Sequence, residues 1–116
     1  LQCGLYSSVL IAINNLRDIA EDSLSGKRTL AVRHGKTFAR AEIVAFCFLP
    51  VLLWVLLLAG DLPSLLLGFL PAMVGAVISL AVCRTEPGPR YNSFLALGAV
   101  QLLLFAFAAT LRSALP

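Results

Sequence analysis

Residues 62–83 read Leu-Pro-Ser-Leu-Leu-Leu-Gly-Phe-Leu-Pro-Ala-Met-Val-Gly-Ala-Val-Ile-Ser-Leu-Ala-Val-Cys, from Leu62 to Cys83, without one Asp, Glu, Lys or Arg. At about 1.5 Å per helical residue, this stretch is long enough to cross a hydrocarbon core of about 30 Å. Ile43 to Gly60 and Tyr91 to Leu111 are equally free of charge, and Leu1 to Leu16 reads as the final part of a further span. In lipid every backbone group must be satisfied internally, which leaves helices or closed barrels. The runs are continuous Leu, Val, Ala and Phe, not alternating, so helices are expected. The fold class that follows is an all-α integral membrane protein, a transmembrane helix bundle. Its spans fall at about 1–16 (partial), 41–60, 62–83 and 91–112, with loops at 17–40 and 84–90.

The whole chain agrees. Its 116 residues are 59% hydrophobic and 13% charged, with a mean hydropathy of +0.92. Soluble domains run at about 45–50% apolar and about 25% charged. Too little polar surface remains to coat a water-soluble enzyme, and disordered, collagen-like and disulfide-scaffold classes are excluded too. Leu1 to Ile13 is apolar from the start, Met73 is the only Met, and no basic region leads into a cleavable leader. Residues 1–116 are therefore expected to be the C-terminal part of one larger transmembrane domain. Cys3, Cys47 and Cys83 are widely spaced in apolar stretches, as buried free thiols would be.

Basic residues set the orientation. Arg17, Lys27, Arg28, Arg33, Lys36 and Arg40 precede the 41–60 span, Arg84 and Arg90 follow the 62–83 span, and the turn between these spans has only Asp61. The positive-inside rule places 17–40 and 84–90 in the cytoplasm and Asp61 outside, so a multi-pass protein of the inner (plasma) membrane is expected. Pro50 and Pro71 are expected to kink their helices. Ala72, Gly75, Ala76 and Ser79 form a small-residue stripe for close packing. Gln101 should face protein instead of lipid. Glu86-Pro87-Gly88-Pro89 is turn chemistry.

Chemistry concentrates in Asn14-Asn15-Leu16-Arg17-Asp18-Ile19-Ala20-Glu21-Asp22-Ser23-Leu24-Ser25-Gly26-Lys27-Arg28-Thr29. Asn14, Asp18 and Asp22 are four residues apart, so on a continuing helix they share one face. Gly26 suits the left-handed position after a helix end. Carboxylates at i and i+4 repel each other, unless a divalent cation sits between or beside them. Asp and Asn oxygens are hard ligands suited to Mg²⁺, which keeps several waters and is completed by phosphates. Arg17, Lys27 and Arg28 are placed to contact a diphosphate. Spacing alone leaves open that these are solvated loop charges.

The string Asn-Asn-Leu-Arg-Asp-Ile-x-x-Asp, followed by Gly-Lys-Arg-Thr-Leu-Ala-Val-Arg-x-Gly through Gly35, resembles the second aspartate-rich motif of the UbiA superfamily of intramembrane prenyltransferases. The paired Asn and the GKRTLAVR run are most similar to its 1,4-dihydroxy-2-naphthoate branch, which serves menaquinone biosynthesis; His34 departs from the Leu more usual there. The resemblance implies that two such motifs hold the Mg²⁺-diphosphate of a polyprenyl donor while an aromatic ring carbon attacks the allylic cation. Carried over by position, Asp18 and Asp22 are the catalytic metal-diphosphate ligands. Asn14, Asn15, Arg17, Lys27 and Arg28 are substrate-binding.

Mg²⁺ is the implied cofactor. Polyprenyl diphosphate, 1,4-dihydroxy-2-naphthoate and the lipid bilayer are the implied partners, and no nucleic acid is expected. The first motif is not among these residues, so this portion alone should be inactive. The alternatives are a family member with another aromatic acceptor and a cation-coupled membrane transporter.

Overall fold

The computed structural model describes residues 1–58 and 60–114. Ala59, inside the expected 41–60 span, lies outside the described residues. Five helices follow one another: α1 (Gln2–Arg17), α2 (Ile19–Leu24), α3 (Leu30–Leu58), α4 (Leu62–Arg84) and α5 (Tyr91–Ala114). No strand occurs among the described residues. The four long helices form a ring in which α1 and α4 each pack against both α3 and α5, while across the α3–α5 diagonal only side chains meet, Trp54 on Phe105 and Gln101 on Cys47. The bundle measures 54 × 22 × 18 Å. Three helices, Leu30–Leu57, Leu62–Arg84 and Tyr91–Ala114, are long and apolar enough to cross a membrane, yet their most apolar windows are only 22%, 28% and 22% buried. Leu56, Leu57, Leu66, Leu103 and Phe107 point outward. Such faces suit lipid, and the protein is a multi-pass membrane protein.

Small residues set how closely the helices approach. The buried seam of α4 is Ser64, Gly68, Pro71, Gly75, Ile78 and Val82. It shares only Gly75 with the expected stripe; Ala72, Ala76 and Ser79 flank it, half-buried. A Cβ on Gly68 would lie 2.6 Å from the Trp54 indole, and one on Gly75 2.6 Å from the Gln101 amide nitrogen. Trp54 donates to the Ser64 carbonyl at 2.7 Å and meets Phe105 edge-on at 5.8 Å.

Gln101 is fully buried, as expected. Its amide donates to the Pro71 carbonyl at 3.0 Å, just as Gln2 donates to the Pro50 carbonyl at 3.0 Å. Interhelical bonds of this kind average about 0.6 kcal/mol, so Gln101 serves register more than strength. Both proline-containing helices run on through their prolines. A non-helical break in α3 falls at Gly35 (φ 85°, ψ 174°), an extended residue on the left-handed side that suits glycine. Of the cysteines, only Cys47 is buried; Cys3 and Cys83 are exposed.

The segment 17–40, expected as a loop, is mostly helical. Gly26 adopts φ 76°, and Lys27 N–H bonds the Asp22 carbonyl at 2.9 Å while Gly26 N–H bonds that of Ser23 at 3.4 Å. This is a Schellman ending for α2. The Thr29 hydroxyl then accepts from Val32 N–H at 3.2 Å and starts α3. At the opposite end, Asp61 accepts from Ser64 N–H at 2.7 Å to start α4 and pairs with Arg112 at 3.1 Å. Hydrogen bonding from Ser64 holds its carboxyl below the usual carboxylate range, with the charge of Arg112 adding to the effect.

Candidate functional site

The aspartate string begins on α1 and crosses a break. Asp18 has φ −96° and ψ 11°, ending α1 and preceding α2. The expected continuous helix is therefore bent at this residue. The i+4 backbone bonds survive the bend: Asp18 N–H reaches the Asn14 carbonyl at 3.1 Å, and Asp22 N–H reaches that of Asp18 at 2.8 Å.

The bend lets Arg17 turn back onto its neighbour. Its Nε donates to Asp18 Oδ1 at 2.6 Å and its Nη2 to Oδ2 at 2.7 Å, a two-pronged pair. Its Nη1 donates to Asn92 Oδ1 at 2.8 Å. The guanidinium holds Asp18 below the ordinary carboxylate range, against the opposing effect of burial. Arg17, Asp18 and Glu21 line a cleft of about 230 Å³ with Gly88, Pro89 and Asn92.

Asp22 sits differently. It is 7% exposed; Oδ1 pairs with Lys27 Nζ at 3.2 Å, and Oδ2 is buried with no hydrogen-bond partner. An unsatisfied buried carboxylate oxygen is costly unless a donor or a cation meets it. Among the described residues, no group of three or more His, Cys, Asp or Glu could hold a metal ion by itself.

The remaining expected site residues are dispersed. Asn15 is half-buried and lines a second cleft, of about 190 Å³, between α1 and α3, together with Glu42. Asn14 is half-buried and lines neither cleft, and Arg28 is exposed and also lines neither. Asn92 and Glu42 were absent from the sequence expectations as site residues. Asn92 is 75 positions from Arg17, and Glu42 reads from sequence as an isolated acid.

The UbiA prenyltransferase family model matches residues 1–103. The chain belongs to this family. It is 44% identical over 52 residues to a 1,4-dihydroxy-2-naphthoate octaprenyltransferase of Haemophilus influenzae, covering 40% of this chain and 17% of that protein. Its counterpart of the same name in Escherichia coli is 53% identical over 38 residues, covering 33% and 12%. The diterpene cyclase eriG of Hericium erinaceus is 35% identical over 91 residues, covering 77% and 28%. The matched stretches thus span well under a third of each relative. No solved structure gives a significant match.

Packing around the site comes from the α4–α5 turn. Glu86 bonds Lys36 at 2.6 Å and Arg40 at 3.2 Å. Lys36 first, then Arg40, hold its carboxyl below the usual glutamate range. Arg40 also donates to the Val82 carbonyl at 2.9 Å and the Thr85 carbonyl at 3.1 Å. These bonds satisfy the open end of α4. The turn is thereby held beside the Arg17–Asp18 pair.

Proposed function

We propose that the protein transfers a polyprenyl group from a polyprenyl diphosphate to 1,4-dihydroxy-2-naphthoate, with this chain supplying one of two aspartate-rich motifs. The carrying observation is Asp22: buried, paired on one oxygen with Lys27, unpartnered on the other, and set in the Asn14–Gly35 string. Two bacterial relatives bear the name of this activity. Asp22 would hold Mg²⁺ directly, and Asp18 would join it on release from Arg17. When bound, the ion neutralises charge on the departing diphosphate.

The chain's own residues do the rest. Lys27 and Arg28 contact diphosphate oxygens, and Arg17, freed from Asp18, turns to the same oxygens while Asn92 retains its Nη1. Asn14 and Asn15 orient the substrates from α1. Preorganised positive charge stabilises the diphosphate most where its charge develops, in the transition state. The basic end faces the cytoplasm of the plasma membrane by the positive-inside rule.

A second reading follows the relative named a diterpene cyclase, whose match covers the largest share of this chain among these three. There the allylic cation would be captured within the donor and no acceptor consumed. Labelled prenyl diphosphate, supplied to the full-length protein with and without 1,4-dihydroxy-2-naphthoate, separates the two. Prenylated naphthoate made only with acceptor present supports transfer, whereas an acceptor-independent cyclic product overturns it. EDTA should abolish turnover and Mg²⁺ or Mn²⁺ restore it; metal-independent turnover would remove the role given to Asp18 and Asp22.

A further inference from the structure

Asp18, Asp22, Asp61 and Glu86 each hold an ion pair, and Glu21 is exposed. Glu42 is the half-buried acid that forms no ion pair or hydrogen bond among the described residues. It lies on α3 at the edge of the expected 41–60 span, where that helix meets the basic segment 17–40.

The cleft it lines is built from two helix stripes. Ser8, Ile11, Ala12 and Asn15 come from α1, and Leu30, Glu42 and Phe46 from α3, the last two one turn apart. Ser8 is occupied by its own backbone, donating to the Gly4 carbonyl at 2.9 Å. Asn15 has no side-chain partner among the described residues. An apolar cleft with a few convergent, unsatisfied polar groups is the usual form of a small-molecule site. Here the pair is complementary: Glu42 only accepts, and the Asn15 amide both donates and accepts.

We propose that Glu42 and Asn15 bind the ring hydroxyl of a hydroxyaromatic acceptor, with Phe46 against the ring and Glu42 as its proton acceptor. This rests on the prenyl-transfer reading above. As the ring attacks, a ring π pair forms the new carbon–carbon bond and diphosphate leaves with the pair of the broken carbon–oxygen bond. The hydroxyl proton passes to Glu42, and its O–H pair becomes the ring carbonyl of a neutral dienone. Loss of H⁺ or CO₂ from the substituted ring carbon then restores aromaticity, and the oxygen recovers its proton from Glu42. No oxidant is needed.

The test uses the full-length protein and two probes, 1,4-dihydroxy-2-naphthoate and its methyl ethers, which cannot donate from the blocked oxygen. Wild type should bind the parent more tightly than the ether blocked at the recognised hydroxyl. Glu42→Gln should weaken parent binding by about 10- to 100-fold, the range for a hydrogen bond to a charged group, and should erase the preference over that ether. Glu42→Asp should recover part of it. Magnesium-pyrophosphate binding should match wild type in both variants, showing that the fold and the diphosphate site are intact. Unchanged acceptor binding in Glu42→Gln, or a retained preference, overturns the inference while leaving prenyl transfer standing. A wild type that prenylates no hydroxyaromatic at all removes the underlying reading instead.

Discussion

Asp18 commits both carboxylate oxygens to Arg17, whereas Asp22 keeps one oxygen buried and unpaired. Their roles should separate accordingly. Asp22→Asn should lower turnover by about 10²- to 10³-fold, as for loss of one preorganised electrostatic group. Its thermal midpoint should be no lower than wild type, because a buried, half-satisfied charge has been removed. Glu21→Gln should stay within a few-fold of wild-type turnover, as an exposed charge would. Turnover assays with parallel melting curves decide this, and an Asp22→Asn protein that turns over normally sinks the assignment. The acidic pattern was legible in sequence, but the Arg17–Asp18 fork was not. Adjacent residues do not face each other on a regular helix, and the fork exists only because the chain bends at Asp18.

The helical segments were legible from charge-free runs, and Gly26 at the end of α2 from its chemistry. Gly26→Ala should destabilise by about 1–2 kcal/mol, the cost of a side chain at left-handed φ. Nothing lies within 4 Å of the added Cβ, so the loss is backbone strain alone, and a melting curve with no measurable shift would contradict it. The helicity of 17–40 was obscured because its polar, Gly-punctuated composition mimics a loop, while its order depends on bonds to the distant α4–α5 turn. Glu86 provides some of these. Its folded carboxyl titrates below the ordinary value of about 4.3. Its contribution to stability is thus fully present above about pH 4.3 and fades as pH falls through the folded value. Glu86→Gln should therefore melt slightly lower than wild type at about pH 7 and converge with it as pH falls below the folded value. A gap that widens on acidification would refute the clamp.

Across the whole molecule, charge is polarised. Of the nine Lys and Arg, all but Arg112 lie before Ala41 or between Cys83 and Tyr91, and Arg112 is answered by Asp61 at the other end. The hydrogen-bonded start of α4 and this single pair leave that end close to neutral, which is the end the positive-inside rule sends outward. Orientation decides whether the motif can meet a donor and acceptor supplied from the cytoplasm. The protein carries its own reporter, because Cys83 is exposed beside Arg84 at the basic end and Cys47 is buried. In single-cysteine variants with every other cysteine replaced by serine, a membrane-impermeant maleimide should label Cys83 in inside-out vesicles and not in right-side-out ones. The variant whose single cysteine stands in place of Asp61 should show the reverse, and the one that keeps only Cys47 should react only after denaturation. Labelling of Cys83 from the outer face would turn the bundle over and place Asp18 and Asp22 on the side opposite to the proposed chemistry.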